Sequence, residues 1–268
     1  MSRTRGTWNT RGTWLAGAAL VAVLALTGYA ALSGSDDDGS DAAGKGGATP
    51  SVSGSATASP APAYTQPEDW TEPARWVALP RGTRTDKYGS QVGYPHTTEG
   101  AMGMLVHTTS GSVEPGQSTV DVQMRIYRSY MSAEDQSDET AERVEQKAQE
   151  TDKRLRQQMG VPSNGRDLPP GSYVRTTVIG YKIIEASDDQ VGAWLLAQVA
   201  TKKGELEKET IEYIRLVMGA RWESGDWKLS TKASVDASQQ GGSDKPGLAT
   251  PGDAKFNEIG WTAIREAS

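Results

Sequence analysis

Side chains able to do chemistry are few in this chain. Cysteine is absent from all 268 residues, which removes thiol catalysis, disulfides, Cys-ligated zinc and lipid attachment through a lipobox cysteine. Histidine occurs twice, as His96 and His107, and no metal-ligand motif joins them. The bland reading is a His in a helix-cap region and a His near a helix end. No G-x-S-x-G or S-x-x-K pattern stands in a strand–turn–helix context, so a serine nucleophile has no support. Neither a phosphate-binding G-x-x-x-x-G-K-[ST] loop nor a strand-anchored G-x-G-x-x-G is present. The expectation is a protein with no catalytic residue, no metal and no cofactor.

What remains is aromatic and charged. Trp222 and Trp227 flank the turn Glu223-Ser224-Gly225-Asp226, where adjacent strands would set them as a cross-strand pair, or leave one facing outward. The run Lys202, Lys203, Glu205, Glu207, Lys208, Glu209 mixes signs and reads as a solvated hairpin tip. A formal net charge of −6 argues against a nucleic-acid-binding face, which needs clustered Lys and Arg.

The elements that must position these residues begin after a long preamble. Residues 1–13 carry Arg3, Arg5 and Arg11 with no acid, and read as a cytoplasmic tail. Residues 14–32 (WLAGAALVAVLALTGYAAL) are uncharged, and Asp36, Asp37 and Asp38 follow. At about 1.5 Å per residue this stretch spans a hydrocarbon core of roughly 30 Å. The Arg-before, Asp-after asymmetry orients a single membrane pass with its N-terminus in the cytoplasm. A cleaved signal peptide is the competing reading, but its apolar region would be unusually long. Ala18 and Ala22 form a small-xxx-small pair, which so Ala-rich a helix produces by chance. Residues 33–66 are dominated by Gly, Ser, Ala, Pro and Thr and read as a disordered stalk. A hydrophobic share of 36% over the whole chain fits a chain partly outside any core.

Residues 67–235 read as one extracytoplasmic domain. It opens on Trp70 and Trp76 in an extended, Pro-punctuated stretch. Thr97 or Thr98 caps a short helix through Ala101, Met102, Met104 and Leu105, in which Gly100 and Gly103 would be costly without a tight contact. Residues 117–131 fit either period: Val120, Val122, Met124 and Ile126 alternate, while Val120, Met124, Tyr127 and Met131 share a helical face. Helix is the preferred reading. Ser132 then precedes a long helix with Ala141, Val144, Ala148, Leu155 and Met159 along one stripe, ended by Gly160 and Pro162.

The period then changes. Residues 173–186, 191–202, 209–222 and 227–232 are rich in β-branched and aromatic residues and are separated by short turns. They predict a four-stranded antiparallel meander. The fold class is α+β, with helices on one face of that meander and the other face open or paired with a partner. Residues 236–253 read as a flexible linker. Residues 254–268 form a C-terminal apolar segment in which Phe256, Ile259, Trp261 and Ile264 either pack back on the sheet or dock on another protein.

Three stretches together resemble a known group: Trp76–Pro80 (WVALP), Gly93–Gly103 (GYPHTTEGAMG) and Arg221–Leu229 (RWESGDWKL). The group is that of actinobacterial single-pass membrane proteins found with conjugation-type or secretion-type ATPases. The resemblance covers roughly residues 70–233. It implies a cone-shaped, cystatin-like fold shared with nuclear transport factor and with assembly proteins of type IV secretion and conjugation machines. Met102, Gly103 and Met104 depart from the group's Ala-rich helix, and the resemblance brings no catalytic residue with it. The expected role is a membrane-anchored scaffold of a cell-envelope translocation machine, its candidate partners being the membrane, other machine proteins and a second copy, with no nucleic acid. A small-molecule-binding or sensor domain is the alternative. On aromatic content, Tyr181, Trp194, Tyr213 and Trp222 are the expected docking face.

Overall fold

The computed structural model describes residues 69–162, 167–241 and 245–265. The expected tail, membrane helix and stalk lie outside these. Among the described residues no helix is long and apolar enough to cross a membrane.

The described residues form a mixed α+β structure of five α-helices and a large, mainly antiparallel sheet. β1 (Trp76–Ala78) and the short hairpin β2 (Arg84–Thr85) and β3 (Gln91–Val92) lead into α1 (Thr98–Thr109). Thr97 caps α1 by accepting from the Gly100 amide at 3.1 Å. β4 (Gly111–Val113) and α2 (Thr119–Tyr130) follow, so the ambiguous 117–131 stretch is helical. Its buried face carries Met124, Tyr127 and Tyr130.

The long helix starts later than the sequence suggests. Residues 133–135 form a separate 3₁₀ turn, and α3 (Asp138–Gln158) begins only after Ser137, whose hydroxyl accepts from the Thr140 amide. Asp135 explains the break. Its carboxylate accepts from the Ser132 hydroxyl at 2.7 Å and from the Thr231 amide at 2.9 Å, which fixes the turn against a distant segment. The predicted stripe is buried as expected, with Val144 and Ala148 fully so, and Gly160 leaves the helix in the left-handed conformation.

The meander has the predicted order: β5 (Tyr173–Ala186), β6 (Gln190–Lys202), β7 (Thr210–Glu223) and β8 (Asp226–Leu229), each antiparallel to the next. The last strand ends at Leu229 rather than 232, because Thr231 already begins α4 (Thr231–Gly241). The sheet is larger than four strands. β9 (Thr262–Arg265) lies antiparallel to β5 and parallel to β1, and β4 adds to the N-terminal part of β5.

One face of the sheet meets α1–α3 across the main core. The other carries a second, smaller core built by residues expected to be linker and tail. α4 lies on a flat seat made by Gly192 and Gly219, which are register partners on β6 and β7. A Cβ on Gly219 would fall 2.3 Å from the Ser234 amide nitrogen, and one on Gly192 would fall 2.4 Å from the Ala237 Cβ. Ordered packing therefore runs past residue 235, with Ala237 and Ala249 buried. α5 (Ala254–Ile259) plants Phe256 against Gly180, and Trp261 is 1% exposed with its Nε1 donating to the Gly247 carbonyl. The four apolar residues of the C-terminal segment pack back on the sheet.

Candidate functional site

Two of the three stretches that carry the sequence resemblance, Gly93–Gly103 and Arg221–Leu229, meet at the β7–β8 turn, while Trp76–Ala78 forms β1 at the opposite edge of the sheet. Asp226, 3% exposed in the β7–β8 turn, is the junction. Its carboxylate accepts from the Gly93 amide at 2.7 Å, the Tyr94 amide at 3.0 Å and the Trp227 amide at 3.0 Å. The exposed Arg84 guanidinium stands 3.7 Å away. Trp227 Nε1 donates to the Pro95 carbonyl at 2.8 Å. Trp222 and Trp227 are register partners across the hairpin, and their rings meet edge to face at 5.5 Å. His96 lies flat on Trp222, and its Nε2 is 2.8 Å from the Asp188 carbonyl and 2.9 Å from an Asp189 carboxylate oxygen.

The two costly glycines of α1 find their reason here. A Cβ on Gly100 would sit 1.9 Å from the Pro95 carbonyl oxygen, and one on Gly103 would sit 2.4 Å from the Pro80 carbonyl oxygen. The tight contact is between helix and loop. The junction is therefore a structural latch: the Asp226 carboxylate, Trp227 Nε1 and His96 Nε2 each bond to a distant part of the chain. His96 and His107 are not brought together, and among the described residues no cluster of His, Asp or Glu is fit to hold a metal ion.

The four residues expected to form a docking face do not share one. Tyr181 is the register partner of Leu195 and joins the main core with Trp222, under the helices. Trp194 faces the opposite way and is 7% exposed in the second core, beside Ile184 and Val217. Only Tyr213, opposite Gln198 on the Trp194 side, lies where no helix covers the sheet among the described residues. Large aromatics mark buried area in a strand and do not by themselves tell core from interface.

The exposed feature that sequence reasoning missed is an edge. β8 pairs with β7 only from Ala220 to Glu223. The Gly219 carbonyl accepts from the Ser230 amide, and the Gly219 amide donates to Ser234 Oγ, so the odd-numbered residues point their backbone groups away from β6. By the alternation of a strand, Ile211, Tyr213 and Val217 direct N–H and C=O outward, with no strand beside them among the described residues. Ile211 is 45% exposed, and Leu206 in the adjoining loop is 99% exposed. The length of β8 decided this, and nothing in the β7 sequence announces it.

Electrostatics around these surfaces is mild. Burial pushes the Glu212 carboxyl on β7 above its ordinary value. Partial burial and the Arg125 guanidinium hold the His107 imidazole below its own. The space between helices and sheet is filled by Met102, Met104, Leu105, Leu155 and Leu195, each at most 1% exposed. In comparisons with known proteins, the chain matches no family model, no curated protein and no solved structure.

Proposed function

We propose that this chain is a non-enzymatic, membrane-anchored assembly component of a cell-envelope translocation machine of the conjugation or secretion kind, and that it self-associates through the outer edge of β7. The uncharged 14–32 stretch between Arg and Asp clusters supports the anchor, and the three-stretch resemblance supports the machine. The observation that carries self-association is that β8 pairs with β7 only from Ala220 to Glu223 among the described residues, beside the exposed Ile211 and Leu206. The occupant assigned to it is a second copy. Two β7 strands running antiparallel about a two-fold axis at Ile214 set Tyr213 against Arg215 twice and Ile211 against Val217, and place no like charges opposite each other. Met102, Met104, Leu105, Leu155 and Leu195 fill the centre of the helix–sheet core, which weighs against a ligand enclosed at that centre.

The test is sedimentation of the full chain beside its Tyr213→Pro variant, with in-membrane crosslinking and mass spectrometry of the wild type. Proline is tolerated on a strand edge whose N–H faces solvent, yet it removes a donor that a paired strand needs. A dimer that becomes a monomer without loss of fold, and crosslinks to membrane-machine subunits, are the expected results. A wild-type monomer, or a dimer indifferent to the proline, rejects the β7 assignment. Crosslinking that recovers no machine subunit rejects the assembly role.

A further inference from the structure

β5 has a gap in its neighbours. β4 pairs with Val174–Thr176 and β9 with Gly180 and Tyr181, while the register shifts between Val178 and Gly180. Across the gap no strand among the described residues completes the ladder; the Val178 amide donates instead to Ser110 Oγ at 3.2 Å. The notch opens into a cleft of about 640 Å³ between β5, the end of α1 and the segment after β1. That is within the size of small-molecule sites, roughly 300–1,000 Å³.

The lining of the notch is unlike the rest of the molecule. Arg81, Arg175 and Arg265 all border it, and no Asp or Glu does, in a chain of net charge −6. Arg175 has a 4.0 Å contact to the exposed Glu114 and lies over the Tyr173 ring at 5.0 Å. Arg265 lies over the Trp76 ring, and among the described residues no carboxylate is within ion-pair range of Arg81 or Arg265. Leu79, Val106 and Ile264 add apolar surface to a lining that also includes His107, Ser110 and Thr177.

Tyr94, 3% exposed, is among the residues that line the notch.

We propose that this notch binds a small anionic amphiphile, its carboxylate or phosphate head among Arg81, Arg175 and Arg265 and its short apolar stem over Leu79, Val106 and Ile264. Guanidinium groups suit such heads because their paired N–H donors match the oxygens. The binding is independent of the β7 edge and stands or falls separately from self-association. The head can come from a membrane lipid or from a soluble ester, and the chemistry presented to the notch is the same.

The experiment is calorimetric titration of the full chain, purified in phosphatidylcholine nanodiscs, with hexyl phosphate and with inorganic phosphate. Hexyl phosphate is expected to bind at least tenfold more tightly than inorganic phosphate. The Arg81→Gln/Arg265→Gln double variant is expected to lose at least tenfold. Both arginines are on the surface, so circular dichroism should be unchanged. Thr177→Trp, which fills the notch and keeps every charge, should abolish binding as well. Dihexanoyl phosphatidylglycerol separates the sources: tighter binding than hexyl phosphate identifies a lipid headgroup, and weaker binding identifies a soluble ester. No binding of hexyl phosphate, or equal binding by wild type and both variants, overturns the proposal.

Discussion

His96 lies face to face on Trp222, with ring centroids 4.0 Å apart and planes 7° from parallel. The stack joins the lead into α1 to the β7–β8 hairpin, and Trp227 stands edge-on to both rings, 5.8 Å from His96 and 5.5 Å from Trp222. The histidine read as a helix-cap residue thus serves as a packing surface. Beside it, the Asp226 carboxylate takes the backbone amides of two segments far apart in the chain.

Asp226→Ala is expected to be among the most damaging single changes. It leaves the buried Gly93 and Tyr94 amides unsatisfied, at about 1–3 kcal/mol each. His96→Ala removes a stacked ring and an exposed hydrogen bond to Asp188 or Asp189 at a partly exposed site, and should cost about 1 kcal/mol. Urea unfolding of the two variants measures the order, and an Asp226→Ala variant no less stable than His96→Ala would contradict the latch.

Glycine substitutions should divide sharply. Gly103→Ala and Gly219→Ala each push a methyl group into backbone, at the Pro80 carbonyl and at the Ser234 amide respectively. Each should lose about 1–3 kcal/mol or more. Gly111→Ala meets nothing within 4 Å and should be close to neutral. Thermal melts of the three variants decide whether the seats of α1 and α4 are as tight as described.

Two groups should tilt the pH dependence of stability in opposite directions. The Glu212 carboxyl is raised by burial, so its charged form disfavours folding near neutral pH, and acidification through its folded value relieves that. Glu212→Gln should therefore gain stability at pH 7 and lose this acid-side benefit. The His107 imidazole is lowered, so below about pH 6.5 the unfolded chain takes up a proton that the folded chain resists. His107→Gln should hold its stability better than the wild type as the pH falls from 7 to 5. His107 is partly exposed, so solvent damps its effect. Chemical denaturation at several pH values gives both slopes, and a wild-type slope unchanged in both variants would dismiss the two assignments.

Local chemistry made much of this fold readable from the chain. Period-two runs broken by turn residues placed β5 to β7 within a residue or two, because a half-buried strand imposes alternation on its own sequence. The stripe Val144, Ala148, Leu155 and Met159 declared α3, and Thr97 announced the start of α1. Trp222 and Trp227 were legible as a pair, since a four-residue turn between strands sets its flanks opposite each other. Cysteine content closed off whole classes of chemistry before any element was placed.

Other features were decided only by distance in space. Asp135 splits the predicted long helix because its carboxylate is claimed by Thr231, a partner 96 positions away. The low-complexity appearance of residues 236–253 hid a helix, since Ala233 and Ala237 need no bulk where Gly192 and Gly219 bring the sheet within reach. Tyr181 and Trp194 read alike as surface aromatics, yet a bulge and the register put them in opposite cores. The β7 edge and the β5 notch exist because β8 is short and because β4 and β9 stop short of each other. Sequence encodes what a residue prefers to touch within a few turns or rungs. Which surfaces are left uncovered depends on where distant segments end, and that is settled only when the sheet is assembled.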